Sequence, residues 1–496
     1  MPRWLTRYLA TKALNQHLRI SLLVGLVLRC LCAFFVYGPQ ALDDYKHGVW
    51  PAYQFFAGQT SDLPDYRSHL LIWCLQSCIW LASKVGVTSA LAQVRCMYLG
   101  LALISLLGIY GTYLFVRARP SKLFAPLCLY LVAAFPLMPF LSTRAFGESV
   151  ATSLVLLGFG WLEDARAQRG RSVWRWACGF AFLGLAVLFR FHVGILYLAY
   201  GMCLLWLREW RGLLGATLAG LWTLTAEYGI DWLSGKPPFG TLISYLAENE
   251  GGAEKYGSSP WYNTWAFVLA LTLPPFSLLL ARHLPALWRR HWPWLLPFLL
   301  YVLAHSLVPH KEERFLYPVV GLELWALAWL WAASQRDWWA KKVYSPAFFI
   351  FCVPLLLVAC LVNTQEGEIE PAAYAESRFQ RVIYLDHESL FGQSRIQFYF
   401  LRPPSVLEHV ERESFNARKV DQALEGHPDF NAVVMLTSVP AVRDELRAMQ
   451  GIQTLSSQCH EMRNAGSLID RLLYSLNPKH NQRRRPTWYL VCERGS

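Results

Sequence analysis

Apolar stretches of about 20 residues, the length that crosses the hydrocarbon core of a bilayer, recur in this chain from Ile20 to Asn363. A soluble domain has no use for so many. The composition agrees: 54% of the residues are hydrophobic and 16% charged, whereas globular domains run near a quarter charged. The 22 Trp and 23 Tyr suit rings that settle at the headgroup level. The chain therefore reads as a polytopic membrane protein.

Its formal charge of +12 raises the question of nucleic acid. Residues 365–496 hold 16 Lys/Arg against 17 Asp/Glu, so the basic excess lies in short loops among the apolar stretches. That is a topology signal, and nucleic acid is excluded as a partner. The first apolar run follows Arg3, Arg7, Lys12 and Arg19 without a small-residue cleavage site and reads as a retained span.

Applied loop by loop, the positive-inside rule threads about 11 transmembrane helices with a cytosolic N-terminus. Ile20–Gly38 goes out, and His69–Val85, which carries Gln76, Ser77, Ser83 and Lys84, is read as a juxtamembrane helix on the outer surface. Val94–Val116, Leu123–Leu141, Ala145–Leu162, two short spans bracketing Arg190, Leu213–Tyr228, Thr264–Ala281, Trp294–Val308, Leu316–Ala333 and Tyr344–Val362 follow. Residues 1–363 form the membrane domain. Residues 364–496 alternate β-rich runs (Arg381–Asp386, Ile396–Leu401, Asn431–Ser438, Thr487–Glu493) with helical ones (Val442–Met449, Leu468–Ser475), which predicts a small α/β domain on the outer side. Ten of the twelve cysteines lie in or beside apolar segments. Cys459 and Cys492 lie in the tail and can pair if it faces an oxidising compartment.

This threading puts every remaining ionisable cluster on the outer side. Asp43, Asp44 and Arg67 belong to the first outer loop, Arg144 and Glu148 to the next turn, Arg190 and His192 to the one after. Asp231 to Tyr262 forms a polar loop with Tyr256 and Trp261, and His310, Lys311, Glu312, Glu313 and Arg314 cap the penultimate pair of spans. Each has a plain structural reading: Arg144 and Glu148 as an i,i+4 pair, Arg190 as a snorkelling cation, Trp261 as an interface anchor. Ionisable groups at span edges are costly, however, and mark functional sites. One loop carboxylate amid fixed cations suits transfer of a sugar from a lipid phosphate. The phosphate is already a good leaving group whose charge needs stabilising, and the acceptor hydroxyl needs one base. A glycosidase would need two facing carboxylates, which the adjacent Asp43 and Asp44 do not offer. A lipid-sugar transporter would place polar groups at mid-membrane between repeated halves; neither is found.

The run His310-Lys311-Glu312-Glu313-Arg314-Phe315, with Pro318 following, resembles the HKExRFxxP motif of glycosyltransferase family 22, the dolichyl-phosphate-mannose-dependent mannosyltransferases of N-glycan precursor and GPI-anchor assembly. Asp43-Asp44-Tyr45 with Pro51-Ala52, Arg67-Ser68, Arg144 to Ser149, and Asp231, Lys236, Asn249 and Tyr256 to Trp261 are similar to further family segments, in the same order, over about residues 20–330. The resemblance implies a GT-C-type fold and an inverting transfer of a hexose, mannose first, from a polyprenyl- or dolichyl-phosphate sugar to a glycan or glycolipid acceptor. Asp43 or Asp44 would be the general base. Arg67, Arg144, Arg190, His310, Lys311 and Arg314 would contact donor phosphate or substrate, and Glu148, Asp231, Tyr256, Trp261 and Glu312 would shape the cleft. No obligatory cofactor or metal is expected. Two departures, Ala41-Leu42 where the family has His-Pro and Trp50 where it has a Glu, leave a different sugar or acceptor open. The absence of any Asn-x-Ser/Thr site favours a bacterial inner membrane with a periplasmic site over an ER membrane with a lumenal one.

Overall fold

The computed structural model describes residues 13–38, 44–59, 63–119, 121–168, 172–250, 257–363, 366–386, 405–409, 417–450, 452–453, 457–478 and 484–495. Asp43, Tyr256 and the run 396–401 lie outside the described residues. The chain divides into two compact units. The first comprises residues 1–33, 64–74 and 98–360, and the second residues 34–63, 75–97 and 361–496.

The long helices broadly follow the apolar runs, and some of them continue through single prolines, such as Pro293, Pro297 and Pro354. In chain order the helices are α1 (Leu14–Phe35), α2 (Trp50–Phe56), α3 (His69–Lys84), α4 (Ala90–Arg117), α5 (Phe124–Ala134), α6 (Leu137–Leu141), α7 (Gly147–Ala167), α8 (Val173–Phe189), α9 (Gly194–Trp206), α10 (Trp210–Leu233), α11 (Gly240–Glu250), α12 (Tyr262–Leu271), α13 (Leu284–Leu307), α14 (Tyr317–Ala333) and α15 (Ser345–Leu361). Among the described residues four helices are long and apolar enough to cross a membrane, and a fifth is added if a pair bent by 97° counts as one span.

That bend, and a break in the run predicted over Leu123–Leu141, are where the helices depart from the apolar pattern. α5 ends at Phe135, whose backbone is extended, and Pro136 starts a separate short turn into α6. The run predicted over Thr264–Ala281 ends at Leu271. Pro274 and Pro275 intervene, and a 3-10 segment, Phe276–His283, leads into α13. Proline removes a backbone donor and clashes with the preceding turn, a cost that the helices holding Pro293, Pro297 and Pro354 absorb but that accompanies a break at Pro136 and at the adjacent Pro274 and Pro275.

Within the first unit α7 is the buried axis, with 18 of its residues out of solvent. It reaches α4 through paired glycines. A Cβ on Gly160 would collide with the carbonyl of Gly111, and one on Gly111 would come 2.5 Å from Leu156 O. Small residues of this kind let helix backbones approach closely in lipid, where dispersion replaces the hydrophobic effect. Beside that contact Phe115 stacks on Trp325 at 3.9 Å with 9° between the planes, and Trp325 Nε1 donates to Thr112 Oγ1 at 3.0 Å, joining α4 to α14. The C-terminal end of α7 carries two buried acids. Asp164 receives Arg117 at 2.7 Å, with Arg175 at 3.6 Å, and Glu163 receives Arg119 and the hydroxyl of Tyr200 at 2.7 Å.

The second unit contains a six-stranded mixed sheet: β1 (Val382–Asp386), β2 (Ser405–His409), β3 (Ala432–Thr437), β4 (Ile452–Gln453), β5 (Ser457–Ala465) and β6 (Thr487–Arg494), in the order β2-β1-β3-β6-β5-β4. β1 runs parallel to β2 and β3, and β6 pairs antiparallel with both β3 and β5. Around it lie α16 (Glu366–Arg378), α17 (Ala417–Gly426), α18 (Pro440–Met449) and α19 (Leu468–Leu476). Ile383, Leu385, Val433, Met435 and Leu490 of the sheet pack with Val420, Leu424, Val442 and Leu446 of the helices. Cys459 and Cys492, opposite one another on β5 and β6, form a disulfide inside that core.

Candidate active site

Several of the polar outliers of the sequence lie around the beginning of α7 in the first unit. Glu148, in the first turn of α7, is fully buried, and its Oε1 lies 2.5 Å from Nη2 of Arg190. Arg190 sits in extended backbone between α8 and a single 3-10 turn, a geometry that lets its side chain leave the helix axis and reach α7. Gly147 makes this possible: a Cβ there would lie 2.6 Å from the Phe189 carbonyl and 3.1 Å from Cγ of Arg190. Arg314 and Arg67 add their charges to the surroundings of Glu148.

The motif over 310–315 is an internally paired network. Glu312 accepts from His310 Nε2 at 2.9 Å and from Arg314 Nη2 at 2.9 Å, with Arg314 Nε at 2.5 Å. Arg314 also lies over the rings of Phe146 (5.7 Å) and Phe315 (5.5 Å), which hold the plane of the guanidinium. Lys311 Nζ donates to the carbonyls of Val308 (2.6 Å) and Ser259 (2.9 Å), and Ser259 N donates to Pro309 O. Lys311 thus ties the segment leading to Trp261 onto the motif. Trp261 itself stands 65% exposed.

A second polar group forms where α10 ends. Asp231 is fully buried and accepts from Oγ1 (2.5 Å) and N (3.3 Å) of Thr241. Lys236 Nζ donates to Asp65 O at 2.7 Å and reaches Thr241 Oγ1 at 3.3 Å. Burial draws the Lys236 ammonium below its ordinary value, against the opposing pull of Asp65 and Asp231. Arg144 is also fully buried, lying over Tyr98 (4.6 Å) and Phe140 (5.0 Å). In the second unit Asp44 is buried at the start of a π-helical turn, Tyr45–Val49, that runs into α2.

Of the residues singled out from sequence, the structure brings Arg67, Glu148, Arg190, Glu312 and Arg314 into one electrostatic cluster, with His310 and Lys311 on the same motif. It sets Asp231 in the neighbouring group with Lys236 and Arg144 in an aromatic setting of its own. Sequence reasoning did not anticipate the aromatic wall behind the cluster. The rings of Tyr301 and His305 pack tilted at 4.3 Å, His192 lies 5.2 Å from His305, and the Tyr301 hydroxyl donates to Phe315 O at 2.6 Å. The available signal was His305, a histidine inside an apolar helix one turn and a half before the motif.

Cations outnumber carboxylates here: Arg67, Arg190, Arg314 and Lys311 against Glu148 and Glu312. Fixed guanidiniums in a shielded site bind phosphate oxygens at low reorganisation cost.

Known proteins with similar features support the same picture. The chain is similar to alpha-1,2-mannosyltransferase ALG9 of Mus musculus, at 33% identity over 95 residues covering 16% of each chain. It is similar to ALG9 of Saccharomyces cerevisiae at 38% identity over 76 residues, covering 15% of this chain and 13% of that protein. The matched stretches are therefore well under two thirds of these relatives. In three dimensions it shares the fold of ArnT from Cupriavidus metallidurans bound to undecaprenyl phosphate, with a TM-score of 0.55, 14% identity and coverage of 96% of this chain and 97% of that one. The apo form of that protein gives a TM-score of 0.52 at 13% identity. The molecule is thus a multi-pass membrane protein of GT-C fold. Residues 20–389 match the model of the Alg9-like mannosyltransferases, so the chain belongs to that family.

Proposed function

We propose that the protein is an inverting mannosyltransferase that takes its sugar from a polyprenyl- or dolichyl-phosphate carrier and passes it to a glycan or glycolipid on the extracytoplasmic face. The observation that carries this reading is buried Glu148 paired with Arg190 at 2.5 Å, with the charges of Arg314 and Arg67 also acting on it, a surplus of positive charge suited to stabilising a departing lipid phosphate. In the proposed step an acceptor oxygen attacks the anomeric carbon, its proton passes to Asp43 or Asp44, and the bond from that carbon to the phosphate oxygen breaks. The released phosphate keeps the electron pair and is held by the arginines. No metal is required, since the guanidiniums occupy that role.

The orientation belongs to the proposal as well: 11 spans, a cytosolic N-terminus and the 364–496 domain outside. The disulfide between Cys459 and Cys492 supports it, because such bonds persist in oxidising compartments. A periplasmic site in a bacterial inner membrane is favoured over an ER-lumenal one.

The test is a transfer assay on purified protein with dolichyl- and undecaprenyl-phosphate mannose and glucose, mixed glycan acceptors, and EDTA present. Transfer from a mannosyl lipid is expected, falling about 10²- to 10⁴-fold on removal of the base in Asp43→Asn or Asp44→Asn. Preference for glucosyl lipid would revise the sugar. Unchanged transfer in both variants, or dependence on a metal, would overturn the mechanism.

A further inference from the structure

In the α/β part of the second unit, most of the apolar side chains whose burial is described are buried or half-buried. Among its described residues from 366 onward, the large apolar side chains left exposed are Leu468 (75%), Leu472 (54%) and Leu476 (73%). Spaced i, i+4 and i+8, they form a single stripe along α19. The helix is held in the rotation that turns this stripe outward. Ser467 caps its first turn, accepting from Asp470 N at 3.1 Å and donating to Asp470 Oδ2 at 2.9 Å. Asp470 is buried on the opposite face, where Arg484 Nη1 reaches its Oδ1 at 2.8 Å. Turning the leucines inward would tear Asp470 from both partners.

What lies beside the stripe identifies what it meets. Ser467 and Leu468 line a cavity of about 430 Å³ with Phe34 and Phe35 at the end of α1, Tyr37 and Arg95, and Leu361, Val362 and Asn363 at the end of α15. α1 and α15 are two of the helices long and apolar enough to cross a membrane. Their last residues are themselves exposed: Phe34 49%, Phe35 52% and Leu361 45%. If α1 and α15 cross a membrane, their ends lie where hydrocarbon gives way to headgroups, a level suited to Arg95, which donates to Phe34 O at 3.0 Å and lies over Tyr37. The leucine stripe begins at that same level.

We infer that α19 is an interfacial helix that lays Leu468, Leu472 and Leu476 into the lipid leaflet at the ends of α1 and α15, seating the C-terminal domain on the membrane. An amphipathic helix of this kind buries its apolar face at the boundary of headgroups and acyl chains, and exposed Arg471 on the same helix is positioned for headgroup phosphate. The inference holds whichever side of the membrane carries the domain, because the tail leaves the membrane from the end of α15.

The experiment uses the full chain, one copy per lipid nanodisc, so that a second copy cannot cover the stripe. Leu472→Cys is compared with Glu445→Cys, an exposed position on α18, each corrected for the background of the parent chain. A charged, membrane-impermeant maleimide is expected to label position 472 at least about tenfold more slowly than position 445. In a second arm a fluorophore attached at either position in detergent is carried into discs containing lipid with a nitroxide near its headgroup. Quenching at 472 is expected to exceed that at 445 at least about twofold. Equal labelling rates would place the stripe in water. Slow labelling without nitroxide quenching would make its cover protein. Either result overturns the inference, and unchanged thermal unfolding of both variants shows that the helix is intact.

Discussion

Glu148 is sealed among arginines, and a one-sided change there is costly. Removing one partner of a buried ion pair costs about 3–5 kcal/mol because the other charge is stranded, while replacing both by apolar residues is far milder. Arg190→Leu alone is therefore expected to lower stability by about that amount, and Glu148→Leu with Arg190→Leu to recover most of it, as read by denaturant unfolding in detergent. Arg314→Lys tests a different property. Lysine keeps the charge but loses the planar fork that Glu312, Phe146 and Phe315 hold in place. If Arg314 holds the donor phosphate as proposed, losing a charge-assisted hydrogen bond to it, worth about 1.5–3 kcal/mol, predicts a fall in kcat/KM for the lipid donor of about 10- to 100-fold. Transfer at the parent rate would remove Arg314 from the donor site. These residues were legible in the sequence because a charge inside an apolar run has few innocent explanations. The partnership was not: Glu148 starts α7 while Arg190 lies in extended backbone just past α8, and an i,i+4 pairing with Arg144 was the simpler guess. The structure instead gives Arg144 to Tyr98 and Phe140.

At the scale of elements, the helices follow the apolar runs closely, because continuous hydrophobicity over some 20 residues leaves the backbone little alternative in lipid. The predicted run over Val94–Val116 is α4, and that over Leu316–Ala333 is α14, each within a few residues. In the tail β3 and β6 were visible as buried, β-branched stretches. β5 was not: Ser-Gln-Cys-His-Glu-Met-Arg-Asn-Ala shows no alternation of apolar and polar, and its place in the sheet comes from pairing with β6 through tertiary context. The crossing of α4 and α7 was equally hidden, since a glycine in an apolar run does not announce what touches it. It gives a direct test: Gly160→Ala puts a methyl against the Gly111 carbonyl, and because both atoms are backbone-bound the helices must part. A loss of about 1–3 kcal/mol is expected for such overpacking, measured by unfolding midpoint, and Gly201→Ala, which meets nothing within 4 Å, serves as the neutral control.

For the whole molecule, the proposed orientation makes a prediction about access. A cysteine at Glu445 should react with an impermeant maleimide added to intact cells or spheroplasts, and one at Arg175 only after permeabilisation. The reverse pattern would turn the protein over and move the candidate site to the cytosol. α7 joins the two ends in question: 15 residues separate Glu148 from Glu163, about 22 Å of helix at 1.5 Å per residue, with buried acids at both ends. Their counter-charges, however, are not made at the same time. Arg117 and Arg119 precede α7 in the chain, so Asp164 and Glu163 emerge from the ribosome with partners waiting. Arg67 also precedes Glu148, but Arg190, the one arginine in direct contact with it, follows by 42 positions and Arg314 by 166, so the opposite end of the same helix is synthesised with its ion-pair partner still unmade. The ion pairs at the C-terminal end of α7 can therefore close as soon as that end has been made, whereas the one at its N-terminal end must wait until the chain has passed α8 and reached Arg190.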